Sequence, residues 1–205
     1  MASAISVVLF DMEGVLTHYD RNARTGRLAA LTGATPEAVR HAIWGSGLEA
    51  RADAGELAPD DYLAALAGLL GCAVTREAWL DSRHASIMPN EEALVLARRV
   101  ARRHRVAVLT NNCSLVTDYL EYLNPAVAEL FGSDIYGSAM FGAVKPAAQT
   151  YLGCVRHLGA QPAETLFIDD TEANVQGALD AGLQGYRFVD ADALGARFVQ
   201  LGLID

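Results

Sequence analysis

The chain has 205 residues, of which 52% are hydrophobic and 20% are charged, a balance typical of a folded domain with a modest insertion. The formal net charge of −9 argues against a nucleic-acid partner, because such a partner requires a basic face. The three cysteines form no C-x-x-C pair, which excludes a zinc module and suits a reducing compartment. The apolar run near the N-terminus is too short for a signal peptide or a membrane span, so we expect a cytoplasmic protein without a membrane partner.

The first predicted element is the apolar run from Val7 to Phe10, which is typical of a strand buried on both faces of a parallel sheet. The run ends at Asp11, and Gly14 follows three residues later. Ligands of open parallel sheets bind outside the carboxyl ends of the strands, where Asp11 falls. An Asp-x-x-Gly sequence is also ordinary turn chemistry, so this stretch alone leaves a ligand site and a plain turn equally open.

Residues 17–88 carry helical patterns. Helix starts are predicted at Thr35-Pro36, at Pro59 and at Thr75, because each pairs a capping or first-turn residue with apolar positions at helical spacing. No strand is predicted over these roughly 70 residues, which read throughout as helices and their connections. The segment is therefore interpreted as an all-helical insert between the first two strands of the sheet.

From residue 89 onward, predicted strands and helices alternate. The strands are predicted at residues 106–109, 135–138, 165–168 and 184–189. Helices are predicted to begin near residues 90, 115, 146 and 171, and the C-terminal segment also has a helical pattern. This alternation favours an α/β fold built on a doubly wound, Rossmann-like parallel sheet.

Polar side chains follow three of the predicted strands. Asp11 follows the first strand, Thr110 and Asn111 follow the second, and Asp169 and Asp170 close a later one. Carboxylates gathered at one edge of a sheet repel one another and are costly without a cation. The pattern predicts a hard divalent ion held by oxygen ligands, most simply Mg²⁺ carrying a phosphate.

At these residues the chain resembles the haloacid dehalogenase-like hydrolase superfamily, in the group with a small helical cap. The motifs that carry the resemblance stand in the family's order and are Asp11-Met12-Glu13-Gly14-Val15-Leu16, Thr110, Lys145-Pro146 and Asp169-Asp170. The match covers nearly the whole chain. It is closest to enzymes of the α-D-glucose-1-phosphate phosphatase type and is also similar to the phosphatase domain of mammalian soluble epoxide hydrolase.

The resemblance implies a core domain formed by residues 1–16 and 89–205, with residues 17–88 as a helical cap inserted after the first strand. A cap of this kind limits water during the reaction and recognises the substrate. Residues 44–49 interrupt the helical pattern with two glycines. They are interpreted either as the part of the cap that touches substrate or as a plain helix–helix connection.

The resemblance also assigns roles at the strand ends. It implies that Asp11 is the nucleophile that forms an aspartyl-phosphate and is also a metal ligand. It implies that Asp170 ligates Mg²⁺ directly and that Asp169 ligates the ion or orients its waters. Asn174, one turn into the following helix, is a candidate support for this metal site.

Two further motifs concern the transferred phosphoryl group. The resemblance implies that Thr110 and Asn111 bind it by hydrogen bonds from a loop rich in donors. It implies that Lys145 binds the phosphate and screens the carboxylates, so that it serves both substrate binding and catalysis.

Glu13 departs from the family pattern, in which an Asp two residues after the nucleophile protonates the leaving oxygen and later activates water. The backbone carbonyl of that residue also ligates the metal, and a substitution preserves this role. Glutamate adds a methylene, about 1.5 Å of reach, in a site sensitive to such displacements. Three outcomes are open, namely acid–base work from a rearranged loop, slow hydrolysis of the intermediate, or a site that no longer turns over. We expect the first.

The predicted function is a Mg²⁺-dependent hydrolysis of a small, sugar-like phosphomonoester, with a phosphorylated metabolite as the partner. The alternative is a weak or inactive protein that binds or regulates, for which Glu13 is the sequence feature. A 2-haloacid dehalogenase is less favoured, because the fourth motif of those enzymes lacks the paired acids Asp169-Asp170. The sequence leaves monomer and homodimer open.

Overall fold

The computed structural model describes residues 5–205, so the first four residues of the predicted core lie outside the described part. Its centre is a five-stranded sheet in the order β5-β4-β1-β6-β7, with every neighbouring pair parallel. The strands of this sheet are β1 (Val7–Phe10), β4 (Arg105–Thr110), β5 (Ile135–Gly137), β6 (Thr165–Asp169) and β7 (Gln184–Arg187). The predicted α/β fold with a doubly wound parallel sheet is confirmed.

Strand β1 is the middle strand because its side chains are apolar on both faces. Val8 and Phe10 pack into one hydrophobic cluster, whereas Val7 and Leu9 pack into the other. This division follows the two-residue period of a strand. All four side chains are buried, as expected for a central strand that pairs with β4 on one side and β6 on the other.

Helices cover both faces of the sheet. The core helices are α6 (Glu91–Val100), α7 (Ser114–Thr117), α8 (Leu120–Leu123), α9 (Pro125–Phe131), α10 (Ala148–His157), α11 (Glu172–Asp180) and α12 (Ala191–Gln200). Phe10 anchors one face through edge-on contacts with Phe131 and Phe198, at ring-centroid distances of 5.8 and 6.2 Å. On the other face, Tyr151 makes an edge contact with Phe167 at 5.3 Å.

The segment between β1 and β4 forms the predicted helical insert. Its helices are α1 (Arg21–Thr32), α2 (Pro36–Arg40), α3 (Leu48–Asp53), α4 (Pro59–Leu70) and α5 (Arg76–His84). A π-helical turn, His41–Gly45, continues α2, and Gly47 then adopts a left-handed conformation before α3 begins. The break predicted at residues 44–49 is thus a short change of helix direction.

The insert is not wholly helical, and this part of the prediction was wrong. A two-stranded antiparallel ribbon, β2 (Thr17–Tyr19) with β3 (Ile87–Pro89), joins its two ends. Three-residue strands show no sequence period, so only their pairing across the insert reveals them. The ribbon lies where the chain leaves and re-enters the core; the domain boundaries at residues 16/17 and 88/89 stay predictions.

Two predicted helices also differ in the structure. The helix expected from Pro146 begins at Ala148, because both backbone groups of Lys145 are bonded to the side chain of Asn111 and hold the preceding loop. The helix expected from Leu115 to Leu123 is divided into α7 and α8. Within residues 5–205, none of the helices is both long enough and apolar enough to cross a membrane.

Candidate active site

The carboxyl ends of β1, β4 and β6 meet around Lys145. The Lys145 ammonium donates to Asp11 Oδ1 at 2.6 Å, to Asp169 Oδ2 at 2.8 Å and to the Leu109 carbonyl at 3.1 Å. The side chains of Lys145, Asp11 and Asp169 are all buried. Three segments distant in sequence are therefore joined in one hydrogen-bonded centre at the sheet edge where ligands of parallel sheets bind.

Asp170 completes a group of three carboxylates. Asp11, Asp169 and Asp170 each place an oxygen within 4.8 Å of the others. Gly14 makes this approach possible, since a Cβ at this position would lie 2.3 Å from Asp170 Oδ2 and its φ of +93° favours glycine. The loop after β1 is thereby shaped to leave room for the third carboxylate.

The charge of this centre is not balanced by its lysine. Burial raises the pKa of Asp11 to about 8, with Lys145 opposing the rise and Asp169 adding to it. Burial and Asp169 also raise the pKa of Asp170. Burial alone would lower the pKa of Lys145, but Asp11 and Asp169 outweigh it and the pKa is raised. Three carboxylates against one ammonium form an oxygen-rich donor set that fits a hard divalent cation such as Mg²⁺.

Supporting side chains hold the centre in place. Asn174 donates to both oxygens of Asp169, at 3.1 and 3.0 Å, and the backbone N–H of Thr171 donates to Asp169 Oδ1 at 2.8 Å. Asn111 accepts from the Lys145 backbone N–H at 2.8 Å and donates to the Lys145 carbonyl at 3.1 Å. The predicted support by Asn174 is thus directed at Asp169. The Asn111 side chain lines the cavity but is engaged in positioning Lys145, and phosphoryl binding by Asn111 stays a prediction.

The Glu13 carboxylate is surrounded by side-chain hydrogen-bond donors. Its carboxylate accepts from Thr110 Oγ1 at 2.8 Å and from Asn112 Nδ2 at 2.9 and 3.1 Å, and it forms an ion pair with Arg83. The Thr110 hydroxyl, predicted to bind the phosphoryl group, is therefore bonded to Glu13 in this structure. Arg83 also donates to Asn112 Oδ1 at 2.6 Å.

These groups face a cavity of about 380 Å³ between core and cap. The residues around it are Asp11, Glu13, Tyr19, Arg21, Trp44, Glu49, Ala50, Asp53, Arg83, Thr110, Asn111, Asn112, Lys145, Asp170, Thr171 and Asn174. The structure therefore brings all the predicted side chains to one place, with Asp169 buried directly beneath. Trp44 and Glu49, from the interrupted helical stretch, also reach this cavity.

Sequence reasoning missed the charged network that the cap contributes. Arg24 is fully buried and forms an ion pair with Glu49 at 2.5 Å, and the Tyr62 hydroxyl donates to the same carboxylate at 2.5 Å. Burial alone would raise the pKa of Glu49, but Arg24 outweighs it and the pKa is lowered. Asp53 has no ion-pair partner among residues 5–205, and burial and the nearby Glu49 raise its pKa to about 8.

Arg83 had no distinguishing signal in the sequence. A basic residue in the last turn of a helix is ordinarily a solvated cation that favours the helix dipole. In the structure its side chain is only 4% exposed and packs over the Tyr19 ring, with the guanidinium carbon 4.6 Å from the ring centroid. Only the position of α5 beside the end of β1 shows that this arginine faces the core.

Comparison with known proteins connects this geometry to a family. The profile of the haloacid dehalogenase-like hydrolases matches residues 5–182. A protein of Mycobacterium tuberculosis named as a phosphatase is 30% identical over 197 residues, covering 89% of this chain and 87% of its own length.

Two solved structures have the same fold. A HAD-like family hydrolase from Porphyromonas gingivalis superposes with a TM-score of 0.79 at 23% identity, covering 97% of this chain and 98% of its own. A HAD family enzyme from Bacteroides thetaiotaomicron, in complex with magnesium and inorganic phosphate, superposes with a TM-score of 0.78 at 20% identity. That likeness covers 93% of this chain and 99% of the other.

Proposed function

The chain belongs to the haloacid dehalogenase-like hydrolases, and from this premise we propose that it is a Mg²⁺-dependent phosphatase of small, sugar-like phosphomonoesters. The observation that carries the proposal is the cluster of Asp11, Asp169 and Asp170 at the carboxyl ends of the strands, with Lys145 bonded to the first two. The phosphatase name of the Mycobacterium tuberculosis relative and the magnesium and phosphate bound by the Bacteroides enzyme support it.

The carboxylates of Asp11 and Asp170 and the backbone carbonyl of Glu13 would hold Mg²⁺, with Asp169 as a further ligand or as an orienting group for its waters. When bound, the ion would neutralise phosphoryl oxygens and favour the ionised form of Asp11. Lys145 supplies the fixed positive charge beside the nucleophile, because Asn111 holds its backbone and two carboxylates hold its ammonium.

Asp11 attacks phosphorus with a carboxylate oxygen, so that a P–O bond forms to the enzyme while the bond to the leaving oxygen breaks. The leaving oxygen takes up a proton and departs as an alcohol. Water then attacks phosphorus in the aspartyl-phosphate, loses a proton and releases phosphate with the Asp11 carboxylate restored. Glu13 is the acid and base we assign to these two proton transfers.

The substrate class follows from the cap side of the cavity. Arg83 and Glu49 present charged groups, Asp53 presents a carboxyl group, and Trp44 presents part of an aromatic ring. Polar groups of this kind can form hydrogen bonds with hydroxyls on the leaving group, whereas an apolar leaving group offers them no partner. A small polyhydroxylated phosphate is therefore the proposed substrate, and the proposed partners include neither nucleic acid nor membrane.

A catalytically weak protein that binds phosphate is the second candidate. One observation favours it, namely that the Glu13 carboxylate accepts the Thr110 hydroxyl that the phosphoryl group requires. The paired acids Asp169 and Asp170 continue to count against a dehalogenase. A cytoplasmic location and a monomeric or homodimeric state stay predictions.

The decisive experiment measures phosphate release from p-nitrophenyl phosphate and a panel of sugar phosphates, with Mg²⁺ and with EDTA. Wild type, Asp11→Asn and Glu13→Asp are compared. Turnover that requires both Mg²⁺ and Asp11 is the expected result. Turnover only in Glu13→Asp would identify a site disabled at one residue. No turnover in any variant on any substrate would refute the proposed phosphatase and favour the binding protein.

A further inference from the structure

We propose that Arg83 is a phosphoryl-binding residue supplied by the cap, and that the Glu13 carboxylate occupies the phosphoryl group's place until substrate displaces it. This inference rests on the proposed function and deepens it. It concerns a residue outside the four sequence motifs. It also gives the presence of Glu13, where the family pattern has Asp, a consequence beyond proton transfer.

The first step of the argument is the donor set around Glu13. A guanidinium from Arg83, a hydroxyl from Thr110 and a primary amide from Asn112 converge on one carboxylate. Donors of these three types, fixed around a small volume, also suit the terminal oxygens of a phosphate. The structure thus shows an anion site that is filled by one of the protein's own anions.

The second step is that phosphate and Glu13 compete for the same donors. Thr110 Oγ1 lies 2.8 Å from Glu13 Oε2 and has a single proton to donate. Lys145 is already bonded to two carboxylates, whereas the buried Arg83 is paired at the cavity with the Glu13 carboxylate, which a phosphate can replace. Entry of a phosphoryl group beside Asp11 therefore requires the Glu13 carboxylate to turn away.

The third step is that Arg83 is held in place without Glu13. Its guanidinium lies over the Tyr19 ring, its Nη1 is 4.0 Å from Glu49 Oε1, and its Nη2 donates to Asn112 Oδ1 at 2.6 Å. Its Nε is buried and has no hydrogen-bond partner among residues 5–205. A guanidinium held in place by these contacts is preorganised to bind a tetrahedral anion that offers several oxygens.

The fourth step is the consequence for Glu13. Its longer side chain reaches the donors of the next strand end, Thr110 and Asn112, and also meets the cap. Once phosphate replaces the carboxylate, Glu13 is released toward the leaving group, where the proposed function requires it. Substrate binding and the availability of the acid–base group are thereby coupled through one exchange of anions.

The test measures binding of inorganic phosphate to the full chain by calorimetry in the presence of Mg²⁺. Wild type is compared with Glu13→Gln, Arg83→Gln and the double variant. Arg27→Gln is the matched control, since Arg27 is a cap arginine in an exposed ion pair with Asp81 and does not line the cavity. Arg83→Lys is included in case Arg83→Gln does not fold, and thermal unfolding checks every variant.

We expect Glu13→Gln to bind phosphate about tenfold more tightly and Arg83→Gln about tenfold more weakly than wild type, with Arg27→Gln unchanged. The gain from Glu13→Gln should disappear when Arg83 is also replaced, because the freed donor is then missing. Arg83→Lys should also weaken binding, since it keeps the charge but loses the fork of donors.

Two results would overturn the inference. If Glu13→Gln increased the affinity for phosphate as much in the absence of Arg83 as in its presence, the increase would reflect the removal of a negative charge alone. Unchanged phosphate binding in both Arg83 variants would exclude Arg83 from the site. Because binding is measured without turnover, a protein that couples Arg83 and Glu13 but hydrolyses none of the panel would refute the proposed function and leave this inference standing.

Discussion

Core and cap differ in how their buried charges are balanced. In the core, Asp11, Asp169 and Asp170 lie together, Lys145 is bonded to the first two, and burial raises the pKa of Asp11 to about 8. In the cap, Arg24 meets Glu49 in a close pair that Tyr62 completes. The core thus has a carboxylate cluster that fits a cation, whereas the buried charges of the cap are largely paired with each other and Arg83 of the cap is paired with Glu13 of the core. Arg83 and Glu13 form an ion pair between these two regions.

The largest expected effect concerns the core alone. Asp11→Asn removes the proposed nucleophile and should lower kcat by about a thousandfold or more, because the covalent step is lost. Steady-state kinetics with Mg²⁺ and p-nitrophenyl phosphate check it. Substitution of the exposed Asp61 by Asn is the matched control and should leave kcat unchanged. Near-normal turnover by Asp11→Asn would show that the core centre is not the site of attack.

The next largest effect concerns the cap and tests how strongly its stability depends on the buried ion pair of Arg24 and Glu49. Glu49→Gln leaves Arg24 buried without its ion-pair partner and should reduce the free energy of unfolding by about 3–5 kcal/mol. Urea denaturation measures the loss. Glu56→Gln breaks an exposed pair with Arg51 and should cost no more than about 1 kcal/mol. Equal losses in both variants would remove the distinction between buried and exposed cap pairs.

The Gly14→Ala substitution should cause a smaller loss of stability together with weaker Mg²⁺ binding in the core. Gly14→Ala places a Cβ against Asp170 and forces a non-glycine residue to φ +93°, which should cost about 1–3 kcal/mol. It should also weaken Mg²⁺ binding, measured by calorimetry. Gly33→Ala is the control, because Gly33 has a positive φ but open space around its Cβ position. Weakened Mg²⁺ binding in both variants would contradict the role of the Gly14–Asp170 approach.

The last effect is a pH dependence of the stability of the cap. Burial, and then Glu49, raise the pKa of Asp53 to about 8 from its ordinary 3.8, with Glu13 adding to the rise and Arg83 and Arg24 opposing it. As the pH rises, the Asp53 carboxyl loses its proton at a lower pH in the unfolded state than in the folded state. The free energy of unfolding therefore falls as the pH rises from 3.8 toward 8. Asp53→Asn should gain melting temperature relative to wild type across that window.

Thermal unfolding at a series of pH values measures the Asp53 effect. Asp61→Asn, an exposed cap carboxyl, is the control and should track wild type at every pH. The difference between Asp53→Asn and wild type should be least at low pH, where both side chains are neutral. A difference that does not change with pH would show that the raised pKa of Asp53 has no part in cap stability.

The core could be predicted from the sequence because its determinants are local. An apolar strand that ends in Asp11, and another that ends in Asp169 and Asp170, mark both the sheet and the edge at which the side chains meet. The parallel order of the strands then brings Lys145 to the same edge. Each of these features depends on a few consecutive residues, and sequence patterns are informative over that range.

Other features were decided by tertiary contacts. The ribbon of β2 and β3 forms between segments about 70 residues apart, and the start of α10 is set by Asn111 holding the Lys145 backbone. The burial of Arg83 depends on how the end of α5 is placed against the loop that carries Glu13. The sequence by itself determined which carboxylates gather at the sheet edge. Only the packing of cap on core decided which arginine faces them, because a charge in the last turn of a helix has no local pattern that distinguishes solvent from a buried partner.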